Sequence, residues 1–288
     1  MNPNTRGQMG LPPDLSLPMF VYGALKPGMP AHQALRPFLL GTPQRDRVAG
    51  EIYVRDALPL LILSPDTRTD GFILTWQSGM EREAYDLVCA FEPREHYAWT
   101  TTSLDSGLAA NVMIARYPTK GHPEPLGSSQ WSLVDDPAFG EGLKVIRSVI
   151  QDSLGNPEWS VWEKFFRAQM AYLLLWSVLE RLAALCFGPG RDPTERVSRL
   201  HQLPGMAELV REVVHRTDRV TDSRDPSSAV TLDAENAKKS FDYYYQVRSN
   251  LSHRGKAVHT DVDRVQGSLE ELLQITERFL DGLRKETL

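Results

Sequence analysis

The sequence predicts a two-part α+β protein, a strand-rich first half followed by an all-helical second half. Three observations carry this. The 288 residues are long enough for two domains of the usual ~100–200 residues. Up to about residue 140 the apolar residues come in short β-branched or aromatic runs, punctuated by Gly, Pro and Asp. From Gly142 onward they recur at helical spacing instead.

In chain order, strands are expected at 19–22, 48–54, 58–63, 71–76, 99–104 and 111–117, with a short helix at 84–91. The proline-containing stretch 118–139, with Gly127-Ser128-Ser129, reads as irregular. These signals set the expected boundaries at 17–120 for the first domain, 121–141 for a linker and 142–285 for the helical domain. The first helix of the second half presents Leu143, Ile146 and Ile150. The next starts at a capping box, Ser160-Val161-Trp162-Glu163, and runs to Phe187, where Gly188-Pro189-Gly190 ends it. Asp192-Pro193-Thr194-Glu195 signals another start, with proline at the first helical position. Further helices are expected over 206–220, 233–253 and 260–285, with 221–230 as a mobile Ser/Asp/Pro loop.

Composition excludes several function classes. A net charge of -5 and a pI near 5.8 exclude a protein that coats nucleic acid or a membrane through bulk positive charge. About two-thirds of the Lys and Arg fall after residue 140, so a local cationic site in the helical half remains open. Cys89 and Cys186, each in an apolar run, support neither a disulfide framework nor a thiolate metal site, and the expected compartment is the reducing cytoplasm. Residues 1–18 are polar and Pro-rich, unlike a secretory leader. The apolar run 170–187 carries Glu180 and Arg181 near its middle and reads as a buried helix rather than a membrane span. There is no Gly-x-Ser-x-Gly elbow, Walker loop, dinucleotide fingerprint or His-Glu-x-x-His, and the histidines have no metal-ligand spacing. No metal or cofactor is therefore expected.

In the first half, Phe20-Val21-Tyr22-Gly23-Ala24-Leu25-Lys26-Pro27-Gly28 is a strand running into a Gly-containing turn. Successive amides in such a turn form a concave anion site; the plain alternative is a tight turn after an edge strand. This loop, Val48-Ala49-Gly50-Glu51-Ile52-Tyr53, Leu58-Pro59-Leu60 and Phe91-Glu92 followed by Tyr97 together resemble the γ-glutamylcyclotransferase-like (AIG2-like) family over about residues 18–118. The resemblance implies a small mixed β-barrel with flanking helices and places the acid/base glutamate at Glu92. In γ-glutamyl cyclisation the substrate's α-amine attacks its own γ-carbonyl. The protein must then hold the α-carboxylate and carry a proton from amine to leaving group. Gly23, Ala24 and Leu25 would bind that carboxylate, with Tyr22 and Tyr97 lining the pocket. Two positions depart from the family pattern: Ala24 stands where a hydroxyl residue is common, and Pro93 where glycine is usual. Glu51 and Glu95 are competing acids nearby.

In the second half, Arg248-Ser-Asn250-Leu-Ser-His253, followed by Arg254 and Lys256, resembles the Arg-x-x-x-x-His motif of the HEPN superfamily of helical bundles. The resemblance implies a four- or five-helix domain that pairs with a second copy, so that facing motifs make one site for metal-independent RNA cleavage. Histidine suits proton transfer near neutrality and arginine suits developing phosphoryl charge. Asn250, Arg254 and Lys256 are the expected supporting or RNA-binding residues. Tyr243, Tyr244 and Tyr245 either stack bases or fill the core. Glu180 either pairs with Arg248 and orients it or reaches the surface. The leading expectation is a toxin or defence-type endoribonuclease with the barrel as regulator, sensor or auxiliary enzyme, acting as a homodimer with no membrane partner. The alternatives are a γ-glutamyl cyclotransferase dimerised by its helices, and a non-catalytic interaction protein.

Overall fold

A computed structural model describes residues 9–55, 58–92, 94–116, 123–187, 192–223, 225, 227–253 and 261–285. The chain divides into two compact units. The first is built from the residues up to Asp136, with Leu185–Phe187; the second comprises Pro137–Ala184 and 192–285. The first holds mixed sheets and the second is helical.

In the first unit a five-stranded sheet has the order β2-β5-β1-β7-β6. Its members are β1 (Met19–Val21), β2 (Gln44–Ala49), β5 (Arg68–Leu74), β6 (Tyr97–Ser103) and β7 (Ala109–Ala115). The whole of β1 is buried, which is why it reads as an unbroken apolar run rather than an alternating one. It pairs antiparallel with β5, Val21 opposite Phe72, and parallel with β7, Met19 opposite Asn111. Gly71 of β5 is obligatory, because a Cβ there would lie 2.4 Å from both the Phe20 ring and the Val21 carbonyl oxygen.

The single strand expected over 48–54 is two strands in different sheets. Gly50 is the reason: a Cβ would stand 2.7 Å from the Leu61 side chain and 2.9 Å from the Ile62 carbonyl oxygen. The chain turns through this tight spot from β2 into β3 (Glu51–Arg55), which pairs with β4 (Leu58–Ile62) and β8 (Glu124–Pro125) in a three-stranded sheet. The stretch expected as a linker belongs largely to the first unit. Pro125 pairs with Tyr53, and Trp131 is buried.

Two helices accompany these strands, α1 (His32–Leu35) and α2 (Glu81–Phe91). The second buries Ala84, Tyr85, Val88 and Cys89. Tyr85 meets the rings of Trp76 and Trp99 edge-on, and its hydroxyl donates to the Leu17 carbonyl at 2.7 Å.

The second unit opens with a short π turn, Ala138–Gly142, leading into α3 (Leu143–Gly155). The long α4 (Val161–Phe187) starts where the capping box places it: Ser160 Oγ accepts from the Glu163 amide at 3.2 Å, while the Glu163 carboxylate turns to Arg167 at 3.1 Å. By length and composition α4 could cross a membrane, but 56% of its most apolar window is buried inside the protein, including Tyr172, Leu175 and Leu182. Asp192 caps α5 (Pro193–Ser198) through the amides of Thr194 and Glu195.

The helix expected over 206–220 is shorter. Here α6 (Met206–Val213) stops at an extended Val214, and Arg219–Thr221 forms β9, paired antiparallel with β10 (Ala229–Thr231). The stretch expected as a mobile loop thus includes part of a hairpin. The last helices are α7 (Ala237–His253) and α8 (Val262–Lys285). Both cysteines are free and buried, and burial pushes their thiols up, to about 11 for Cys89 and about 12 for Cys186.

Candidate functional site

Two constellations were expected, one in each unit. In the first, β1 delivers Tyr22 into the interior, where its hydroxyl donates to the Met113 carbonyl at 2.9 Å and accepts from the Leu61 amide at 3.1 Å. Burial pushes this hydroxyl far up, against the opposing effect of the Leu61 amide, and the nearby Glu92 charge adds to the rise. Tyr22 therefore stays a neutral phenol that ties β1 to β4 and β7. Tyr97 is equally committed: its buried hydroxyl donates to the Pro59 carbonyl at 2.8 Å.

Pro59 also explains Gly23, since a Cβ at that position would lie 2.7 Å from the proline ring. The turn 23–26 closes through the Lys26 amide on the Gly23 carbonyl at 3.3 Å. Among the described residues the amides of Gly23, Ala24 and Leu25 have no protein acceptor, which is the condition for an anion nest. Glu92 stands just past α2 with extended backbone, half-buried, and its charge adds to the rise in the Tyr22 pKa. Pro93 lies outside the described residues. Of the competing acids, Glu51 accepts from the Tyr53 hydroxyl at 3.1 Å and Glu95 is exposed. The indole of Trp99 donates to the Gly10 carbonyl at 2.7 Å, so its polar edge is spent on the start of the described chain.

In the second unit Arg248 and Glu180 come together: Arg248 Nη2 lies 3.8 Å from Glu180 Oε1, each side chain about one-third exposed. An ion pair this open and this long contributes little stability. Asn250 is drawn into the scaffold. Its Oδ1 accepts from the Ser223 amide and from Gln246 Nε2, both at 3.0 Å, and its Nδ2 donates to the Thr221 carbonyl at 2.8 Å. The asparagine expected to support RNA binding thus ties α7 to the β9–β10 hairpin. His253 is the final residue of α7; its side chain, and Arg254 and Lys256 entirely, lie outside the described residues.

The tyrosine triplet divides. Tyr243 and Tyr244 are fully buried core residues, while Tyr245 is half-buried and meets Trp176 edge-on. The hydroxyls of the buried pair enter a charged cluster that sequence reasoning missed. Arg216 forms a two-pronged bond to Glu271, 2.9 and 3.0 Å, and reaches Asp218 at 3.2 Å and Ser268 at 3.1 Å. Asp218 also accepts from Tyr243 at 2.6 Å and Arg264 at 2.9 Å, and Tyr244 donates to Glu271 at 2.9 Å. Burial alone would raise the Asp218 carboxyl, but Arg264 and Tyr243 outweigh it and hold the group at about 2. This cluster joins α7, α8 and the segment before β9. Among the described residues no group of three His, Cys, Asp or Glu is placed to hold a metal ion.

No protein-family model matches the sequence, and no curated protein does. Among solved structures, SeMet-substituted Kluyveromyces lactis allophanate hydrolase aligns with 38% of this chain and 19% of its own length, at 14% identity and a TM-score of 0.31.

Proposed function

We propose that the protein is a two-domain cytoplasmic effector of the toxin or defence type, a metal-independent endoribonuclease in its helical unit regulated by a γ-glutamylcyclotransferase-like barrel. The observation that carries the reading is the proximity of Arg248 on α7 to Glu180 on α4, 3.8 Å apart, with the guanidinium partly exposed on the same helix that ends at His253. In this reading two copies bring their α7 ends together. The ribose 2′-oxygen bonds to the adjacent phosphorus, the bond from phosphorus to the 5′-oxygen breaks, and a 2′,3′-cyclic phosphate remains. One His253 takes the 2′-hydroxyl proton, the His253 of the second copy protonates the departing 5′-oxygen, and Arg248 offsets the charge on the phosphoryl oxygens. Arg254 and Lys256 attract the backbone phosphates. The test is cleavage of single-stranded RNA in EDTA by the full chain, read beside cell toxicity. His253→Ala and Arg248→Gln should each abolish both and Glu92→Gln neither; cleavage that survives His253→Ala overturns the reading.

A second reading is favoured by the amides of Gly23, Ala24 and Leu25, which among the described residues have no protein acceptor, and by Glu92, whose charge reaches Tyr22. Here the barrel releases 5-oxoproline from a γ-glutamyl amine or peptide: the amides hold the α-carboxylate and Glu92 carries the proton from the attacking amine to the leaving one. Release of 5-oxoproline that Glu92→Gln abolishes and His253→Ala leaves intact would favour it over the nuclease.

A further inference from the structure

A cleft of about 530 Å³ opens in the first unit beside the short α1 and shares no residue with the pair of sites above. Its lining joins His32 and Arg36 of the α1 region to Arg45 on β2, with Leu39, Pro27 and Phe72 supplying apolar wall. The charges are one-sided: every ionisable side chain that lines it is a nitrogen base. β-pairing sets the cationic and aromatic parts together, because Arg45 lies opposite Phe72 in the β2–β5 ladder, its guanidinium 5.5 Å from the ring centre. His32 is buried, with Nδ1 3.0 Å from the Leu25 carbonyl oxygen. A carbonyl only accepts, so Nδ1 carries the proton in this contact. Lys26 adds positive charge nearby. Burial lowers its pKa and Arg45 lowers it further, while Asp135 and Asp70, the neighbouring acids, act in the opposite direction.

We propose that this cleft binds a small organic anion, its phosphate or carboxylate head between Arg36 and Arg45 and its apolar part against Phe72 and Leu39. The volume falls within the range of small-molecule sites, about 300–1,000 Å³, and accommodates a ligand the size of a mononucleotide. Two arginines present planar donor forks suited to an oxyanion, and a hydrophobic wall beside them selects against bare inorganic ions. The Leu25–His32 hydrogen bond connects the cleft to the loop that carries the unpaired amides, so a ligand here is one bond away from the second candidate pocket.

The experiment is calorimetric titration of the full chain with inorganic phosphate, AMP, citrate and, as the uncharged control, adenosine, at low and at moderate salt. AMP or citrate should saturate with a Kd below about 1 mM and bind more tightly than inorganic phosphate, weakening as salt is raised, while adenosine does not bind. Both arginines are exposed. The Arg36→Gln/Arg45→Gln double variant should therefore stay folded, with the wild-type circular dichroism spectrum, and lose at least tenfold in affinity. Thr42→Glu, which keeps both arginines but adds a carboxylate to the lining, should weaken binding by a similar factor. The proposal is overturned if neither AMP nor citrate binds with a Kd below about 1 mM, if inorganic phosphate binds as tightly as both, if adenosine binds as well as AMP, or if both Thr42→Glu and the double variant bind as wild type does.

Discussion

Replacing Asp218 by Asn should cost the helical unit about 2 kcal/mol near neutral pH, and the cost should fade in acid. Asp218 accepts from Tyr243 at 2.6 Å, Arg264 at 2.9 Å and Arg216 at 3.2 Å, and these donors hold its carboxyl at about 2 against an ordinary value of 3.8. A carboxylate depressed in the folded state adds stability that is fully present above its unfolded pKa and is lost as pH falls through the folded one. At about 1.36 kcal/mol per pKa unit the difference amounts to roughly 2.5 kcal/mol. With 22% of the side chain still exposed, solvent screening trims this to about 2. Asparagine has nearly the same shape, can still accept from Tyr243 and carries no charge at any pH. Urea unfolding followed by helical circular dichroism, for wild type and Asp218→Asn, should show the full gap at about pH 7 and about pH 5, closing between about pH 4 and pH 2. A gap under about 0.5 kcal/mol at neutrality, or one that persists unchanged at pH 2, would refute the reasoning.

The two glycines of α8 offer a matched comparison: nothing lies within 4 Å of a Cβ at Gly282, whereas a Cβ at Gly267 would stand 3.3 Å from Arg216 Nε, which Glu271 holds in place. Gly282→Ala should stabilise by up to about 1 kcal/mol in a urea melt, and Gly267→Ala should fall measurably short of that. Asn250→Ala removes two bonds to the hairpin side, so amide exchange across 219–231 should speed up at least tenfold, about 1.4 kcal/mol, while exchange in α3 stays unchanged. Tyr22→Phe leaves the Leu61 amide without its hydroxyl acceptor in the core and should cost about 1–3 kcal/mol by denaturant titration of the first unit; a neutral outcome would mean that the amide finds another partner.

Local signals read true where one segment decides the outcome. Ser160 and Asp192 begin their helices because a short side chain satisfies an amide two or three residues on, which depends on nothing distant. Arg248 and Glu180 were foreseeable for a different reason: a charge on an otherwise apolar helix stripe requires a partner. The Arg216 cluster was hidden because its members sit at 216, 218, 243, 244, 264, 268 and 271, and each alone resembles an ordinary solvated charge or core aromatic. The turn at Gly50 was equally hidden, since what forbids a side chain there is Leu61 and the Ile62 carbonyl of another strand. The β9–β10 hairpin escaped notice because three-residue strands flanked by Ser, Asp and Pro carry too little alternation to register.

The position of β1 bears on how this chain emerges from a ribosome. The first described strand occupies the middle of its sheet, and its neighbours are β5, about fifty residues later, and β7, about ninety residues later, the latter in the costlier parallel sense. Until β7 has left the exit tunnel, Met19, Phe20 and Val21 lack one of the two flanking strands that bury them. During synthesis this buried segment of the first unit must therefore wait with an open edge, the stage at which chaperone capture or pairing with a neighbouring nascent chain competes with folding.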